Sequence, residues 1–154
     1  MTARKSCEST KVPVERSRGA IAAVLHAWGA KGVQWEDDFD TGAAVLRFRW
    51  KSGGGELVAR LRLEIKLPRR LRPTAAETRT RDQERRRIHR VAYHWLRAQQ
   101  AAVESGLFKA ETVIIPWLED STGVTIGEAM APNLGKLGES DISRRLMMTA
   151  GGER

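Results

Sequence analysis

"AVLRFRWKSGGGELVARLRLEIKL", residues 44 to 67, decides the fold. Ala44, Leu46, Phe48 and Trp50 alternate with Val45, Arg47, Arg49 and Lys51, a period of two that a helix cannot use. Ser52 to Gly55 is a turn by composition. A cleaner alternation follows, with Leu57, Ala59, Leu61, Leu63, Ile65 and Leu67 on one face and Val58, Arg60, Arg62, Glu64 and Lys66 on the other. Two such segments joined by a glycine turn predict an antiparallel hairpin with one face on the core and the other in water. The wet face collects Arg47, Arg49, Lys51, Arg60, Arg62 and Lys66, relieved by Glu64, and is expected to be a basic platform.

The flanks extend this unit. On the amino-terminal side, Val33 and Trp35 alternate with Gln34 and Glu36, a short strand that would make the sheet three-stranded. Before it, Ile21, Val24, Leu25 and Trp28 fall at helical spacing and Gly29 supplies a stop. After Leu67, Pro68 and Pro73 bound a basic linker. A long helix is expected from Thr80, which stands in capping-box spacing to Gln83, to about Glu104, with Ile88, Val91, Trp95, Ala98 and Ala102 as its apolar stripe. Gly106 ends it. Beyond lie a short helix passing into an extended stretch over 107 to 120, a turn at Asp120 to Gly123, a strand at Val124 to Ile126 and a brief helix after Gly127. The expected fold is α+β: a three-stranded antiparallel sheet packed on two helices, in the order helix, strand, strand, strand, helix, with a short carboxy-terminal extension. Residues 13 to 135 form one domain, with 68 to 80 as the linker within it. Residues 1 to 12 and 136 to 154 are expected to be loose tails.

Composition narrows the partners. The 154 residues suffice for one core, and a hydrophobic fraction of 41% with five Trp supports folding. Lys and Arg outnumber Asp and Glu by 27 to 19, a net charge of +8, and 20 of the 27 are arginine. Guanidinium forks pair bidentately with phosphate, so an anionic partner is favoured. The charge is densest over residues 69 to 90, where Arg69, Arg70, Arg72, Arg79, Arg81, Arg85, Arg86, Arg87 and Arg90 face only Glu77, Asp82 and Glu84. Cys7 is the single cysteine, so neither an internal disulfide nor a thiolate metal site is expected. The opening residues lack the apolar core of a secretory signal, and no apolar run approaches a membrane span. A cytoplasmic location is expected.

Residues with chemical potential have plainer readings. Asp40-Thr41-Gly42 matches the motif of retroviral-type aspartic proteases, but Glu36, Asp37 and Asp38 precede it where that site needs apolar cover. Asp and Gly between two alternating segments read as a turn. The same acids fall short of a calcium loop, because Arg49 stands where its closing glutamate is needed. Asp38 or Asp40 followed by Glu64 and Lys66 follows the order of metal-dependent nucleases, although any charged strand yields Glu-x-Lys. His89 and His94 do not share a helix face, and His26 lies beside an apolar stripe. No serine or cysteine has a nucleophile's surroundings, and no glycine-rich loop leads from a strand to a helix as a phosphate cradle must. No catalytic residue, metal or cofactor is therefore assigned.

Three segments, "VPVERSRGAIAAVLHAWGA" (12 to 30), "QQAAVESGLFKAE" (99 to 111) and "GVTIGEAMAPNL" (123 to 134), resemble a family of small uncharacterised proteins encoded in bacteriophages and prophages. The resemblance implies a mobile element inside a bacterial cell and no particular reaction. The layout also has the helix and strand order of double-stranded RNA-binding domains, without their sequence signature. The expected function is a non-enzymatic phage accessory protein that binds nucleic acid through Arg47, Arg49, Arg60, Arg62, Arg85, Arg86 and Arg90. The competing expectations are a module that binds a host or phage protein and, less strongly, a Mg²⁺-dependent nuclease.

Overall fold

A computed structural model describes residues 6–65 and 72–134. Helix α1 (Val14–Trp28) leads into strands β1 (Gly32–Asp37), β2 (Ala44–Ser52) and β3 (Gly55–Leu63), followed by the long helix α2 (Ala75–Glu104). The strands form one open antiparallel sheet in the order β1-β2-β3. The architecture is the expected α+β one. Its register sets Leu46 opposite Trp35 on one side and Leu61 on the other, and Phe48 opposite Val33 and Ala59. All of these side chains lie on the helix face of the sheet.

The core forms there. Ala44, Leu46, Phe48, Trp50, Ala59, Leu61 and Leu63 pack on Ile21, Val24 and Leu25 of α1 and on Ala92 and Leu96 of α2. The alternation read from the hairpin supplies this surface, and the helical spacing of Ile21, Val24 and Leu25 supplies its cover. Gly29 ends α1 at φ 110°, a left-handed conformation that costs glycine least. The turn also brings the chain beneath Trp50, which meets Trp28 edge to face at 5.6 Å.

Two boundaries differ from expectation. The long helix begins at Ala75, inside the segment read as linker, because Thr74 and Glu77 form the capping box. Thr80 instead donates its hydroxyl hydrogen to the Ala76 carbonyl, and the Gln83 amide reaches back to the carbonyls of Glu8 and Thr10. Capping-box spacing occurs twice in this stretch, and the earlier pair prevails, which adds more than a turn of hydrogen-bonded helix. β3 ends at Leu63, so Glu64 and Ile65 lie beyond it. Lys66, Leu67, Pro68, Arg69 and Arg70 lie outside the described residues, as do residues 1 to 5 of the first expected tail and all of the second; the rest of the first is tied to the long helix through Ser6, Glu8 and Thr10.

The extension after α2 consists of α3 (Ala110–Ile114), a 3₁₀ turn (Ile115–Trp117), α4 (Ile126–Met130) and a second 3₁₀ turn (Ala131–Asn133). Its extended part bonds to the sheet: Leu118 bridges Ala59, and the Glu119 N–H donates to the Val58 carbonyl at 2.8 Å. Trp117 meets Trp95 of α2 edge to face at 5.3 Å, and Ile114 is buried in the core. The Asp120–Gly123 turn forms as expected. The strand expected over Val124 to Ile126 is reduced to one bridge between Glu119 and Thr125, because Thr125 caps α4 with Glu128 and draws Ile126 into the helix.

Candidate functional site

The hairpin places Arg47 directly opposite Arg60, a like-charge pair that repels across the ladder. The extension resolves the conflict. Glu119, whose side chain is nearly buried, accepts from Arg47 Nε at 3.1 Å and lies 3.7 Å from Arg60 Nε. Glu36 of β1 takes a second Arg47 nitrogen at 2.5 Å, and Glu128 of α4 takes Arg60. These carboxylates hold the Arg47 guanidinium more firmly in its charged form, the Glu119 bond contributing most. Arg62 reaches Thr41 at 3.1 Å and lies 3.5 Å from both Asp38 and Glu64, while Arg49 lies 3.3 Å from Glu56. The four arginines expected to make a free basic platform are each engaged by a carboxylate of the same chain. The cover of Arg60, and part of that of Arg47, comes from Glu119 and Glu128, which hairpin alternation cannot foresee.

A second cluster joins α1, β1 and α2. Strand periodicity puts Asp37 on the helix side with Val33 and Trp35, where a carboxylate needs cations. Each helix supplies one. Arg18 of α1 grips both carboxylate oxygens, at 2.6 and 3.1 Å, and Arg85 of α2 donates at 3.0 Å. The Arg18 bond, with the charge of both arginines, holds the Asp37 carboxyl below the usual range. Arg18 also lies over the Trp35 ring at 4.7 Å and donates through Nε to His89 Nε2 at 3.2 Å. His89 is fully buried, with Nδ1 2.8 Å from the Arg85 carbonyl. That arrangement assigns the proton to Nδ1 and leaves Nε2 as acceptor, a neutral ring. Burial pushes the His89 pKa down, reinforced by the two arginines. Arg85, named from sequence, is therefore a structural ion-pair partner; Arg18, Asp37, Trp35 and His89 carried no comparable signal.

Arg86 and Arg90 behave differently. Arg86 lines an open cleft of about 330 Å³ with Glu15, Asp82 and the Arg18–Asp37–Arg85 cluster, yet has no ion pair among the described residues. Arg90 lies over the Tyr93 ring at 4.4 Å. Both belong to a row that the sequence pattern contains but that a run of charge along the chain obscures: Arg79, Arg86, Arg90 and Arg97, separated by seven, four and seven residues. Those steps return to one side of an α-helix, and the row spans roughly 27 Å of axis. Arg79 has no carboxylate partner among the described residues, and Arg97 meets only the Gln100 side-chain oxygen, at 3.3 Å. Tyr93 sits within the row. Arg87, on another side of the helix, is paired with Glu84 at 2.6 Å.

The catalytic alternatives find little support in the geometry. Asp38, Asp40 and Thr41 form the β1–β2 turn: Asp38 accepts from the N–H groups of Asp40 and Thr41 and from the Thr41 hydroxyl. The Thr41 bonds lower the Asp38 pKa to about 2, as a turn-stabilising carboxylate requires. Gly42 carries the positive φ of 76° that completes the reversal. Glu64 is exposed beside Arg62, and Lys66 lies outside the described residues. Among the described residues no three His, Cys, Asp or Glu side chains gather to hold a metal, and no helix is long and apolar enough to cross a membrane. Comparison with protein-family models, curated proteins and solved structures finds no match.

Proposed function

We propose that the protein binds nucleic acid through the flank of α2 that carries Arg79, Arg86, Arg90 and Arg97, and that, in keeping with its sequence resemblance, it serves a phage or prophage. The observation that carries this reading is the contrast between arginines. Those of the sheet and Arg85 are spent on carboxylates of the same chain, while the α2 row meets no carboxylate among the described residues. A phosphate backbone satisfies such a row without sequence readout, and Tyr93 adds an aromatic edge beside it. Of the seven arginines expected from sequence, Arg86 and Arg90 remain in the proposed interface. Arg79 and Arg97 join them.

The test is a polarisation titration of labelled duplex and single-stranded oligonucleotides across a salt series. Binding in the micromolar range or weaker at moderate salt is expected, falling steeply as salt rises. Arg86→Glu with Arg90→Glu should weaken binding at least about tenfold and flatten the salt slope by about one for each phosphate that is no longer neutralised. Arg62→Gln, at a position already paired, should leave it nearly unchanged. Absence of binding at low salt, or equal losses from both sets, overturns the reading. The exposed Leu107, Phe108, Met130 and Leu134 then favour the second reading, a module acting on a host or phage protein.

A further inference from the structure

The two edges of the sheet are treated differently. The extension covers β3 through Leu118 and Glu119, whereas among the described residues β1 bonds only to β2. The Asp38 N–H reaches the Ala43 carbonyl across the hairpin, so by alternation Glu36, Gln34 and Gly32 turn their peptide groups toward β2. Those of Val33, Trp35 and Asp37 face the open edge. Such an edge is a template for another strand.

We propose that β1 pairs antiparallel with β1 of a second copy about a two-fold axis at Gln34, joining two sheets into one. A two-fold antiparallel pair sets residues of like face opposite each other, so the axis must pass through a residue. At Gln34 it sets Val33 opposite Trp35, and the peptide groups that exchange hydrogen bonds are those already facing outward. On the other face of the sheet, Glu36 comes opposite Gly32 of the second copy. Gly32 has no side chain, and the Arg49 guanidinium lies across it: Nε and Nη2 are 2.9 Å from the position a Cβ would take. Arg49 is half exposed and, among the described residues, held only by its 3.3 Å contact with Glu56. An incoming Glu36 therefore meets a cation beside a gap. An axis at Trp35 would instead oppose Val33 to the Asp37 carboxylate and Glu36 to Gln34, losing the match of Glu36 to Arg49.

The experiment uses the full chain with Cys7→Ser. Sedimentation equilibrium should show a reversible dimer with a dissociation constant on the order of 100 μM or tighter, the weak end suited to a small interface. Arg49→Glu and Glu36→Arg should each weaken it at least about tenfold, and the two together should restore most of the loss. Gln34→Cys places two thiols across the axis, where facing Cβ atoms come within about 5 Å, and should give a covalent dimer under mild oxidation. Glu36→Cys sets the thiols about 13 Å apart and should not. Gln34 and Glu36 are exposed, so both variants retain the core. A chain that stays monomeric at that concentration, or cross-links equally through both positions, overturns the proposal. Neither outcome depends on nucleic-acid binding.

Discussion

His89 shows how one buried side chain ties two helices to a strand. Its ring accepts from Arg18, faces the Arg85 carbonyl through Nδ1 and stacks near Trp35 at 5.4 Å. The charged groups around it are Arg18 and Arg85, which disfavour its protonation, and Asp37, which favours it. Its pKa lies below the ordinary 6.5, so the unfolded chain takes up the proton first as pH falls. The stability contributed by the neutral ring is complete above about pH 6.5 and is lost as pH drops through the folded pKa. Asp37, depressed from 3.8, adds a second loss at lower pH. Urea unfolding from about pH 7.5 to about pH 3 should show both declines, and His89→Gln should flatten the upper one while leaving the lower. An unaltered upper decline in that variant would show that other groups cause it. Helical spacing placed His89 on α2, but nothing local to it announces Arg18 or Asp37, which come from distant parts of the chain.

At the level of elements, α2 is the instructive case. Its buried face is His89, Ala92, Leu96 and Gln100, displaced from the stripe expected at Ile88, Val91, Trp95, Ala98 and Ala102, of which Ala98 is exposed, because packing against the rest of the fold selects among stripes of the same period. Its stop at Gly106 was legible, since a left-handed glycine is a local property. Its start was not, because Thr74–Glu77 and Thr80–Gln83 offer nearly the same cap and local pattern does not rank them. Thr74→Ala should weaken the amino-terminal turns by about 1 kcal/mol, read as faster amide exchange over residues 75 to 81. Thr80→Ala should change that exchange little. Equal effects would place the functional cap elsewhere. The arginine row was legible by the same periodicity, yet charge density over residues 69 to 90 drew attention to a run along the chain and away from one side of the helix.

For the whole molecule, the carboxy-terminal extension acts as a clasp. Ile114 and Trp117 join the core on the helix side of β3, and Glu119 and Glu128 meet the arginines on its other side. Glu119→Gln leaves Arg47 and Arg60 opposed with their shared charge partner neutralised. Removing one partner of a well-buried ion pair costs several kcal/mol; allowing for the partial exposure of Arg47, about 2 kcal/mol is expected by denaturant unfolding. Loss of less than about 0.5 kcal/mol would mean that the pair is solvated in solution.

The sequence by itself determined the order of the elements and the faces of most of them: the alternation of residues 44 to 63, the helical spacing in α1, and the Asp-Thr-Gly that reads as a turn. These follow from backbone periodicity and turn chemistry, which act over a few residues. Only the tertiary structure decided which arginines remain free to meet a phosphate. That depends on carboxylates brought from far along the chain, Glu119 and Glu128 to the sheet and Asp37 to both helices, and an ion pair carries no periodic trace in either partner's surroundings.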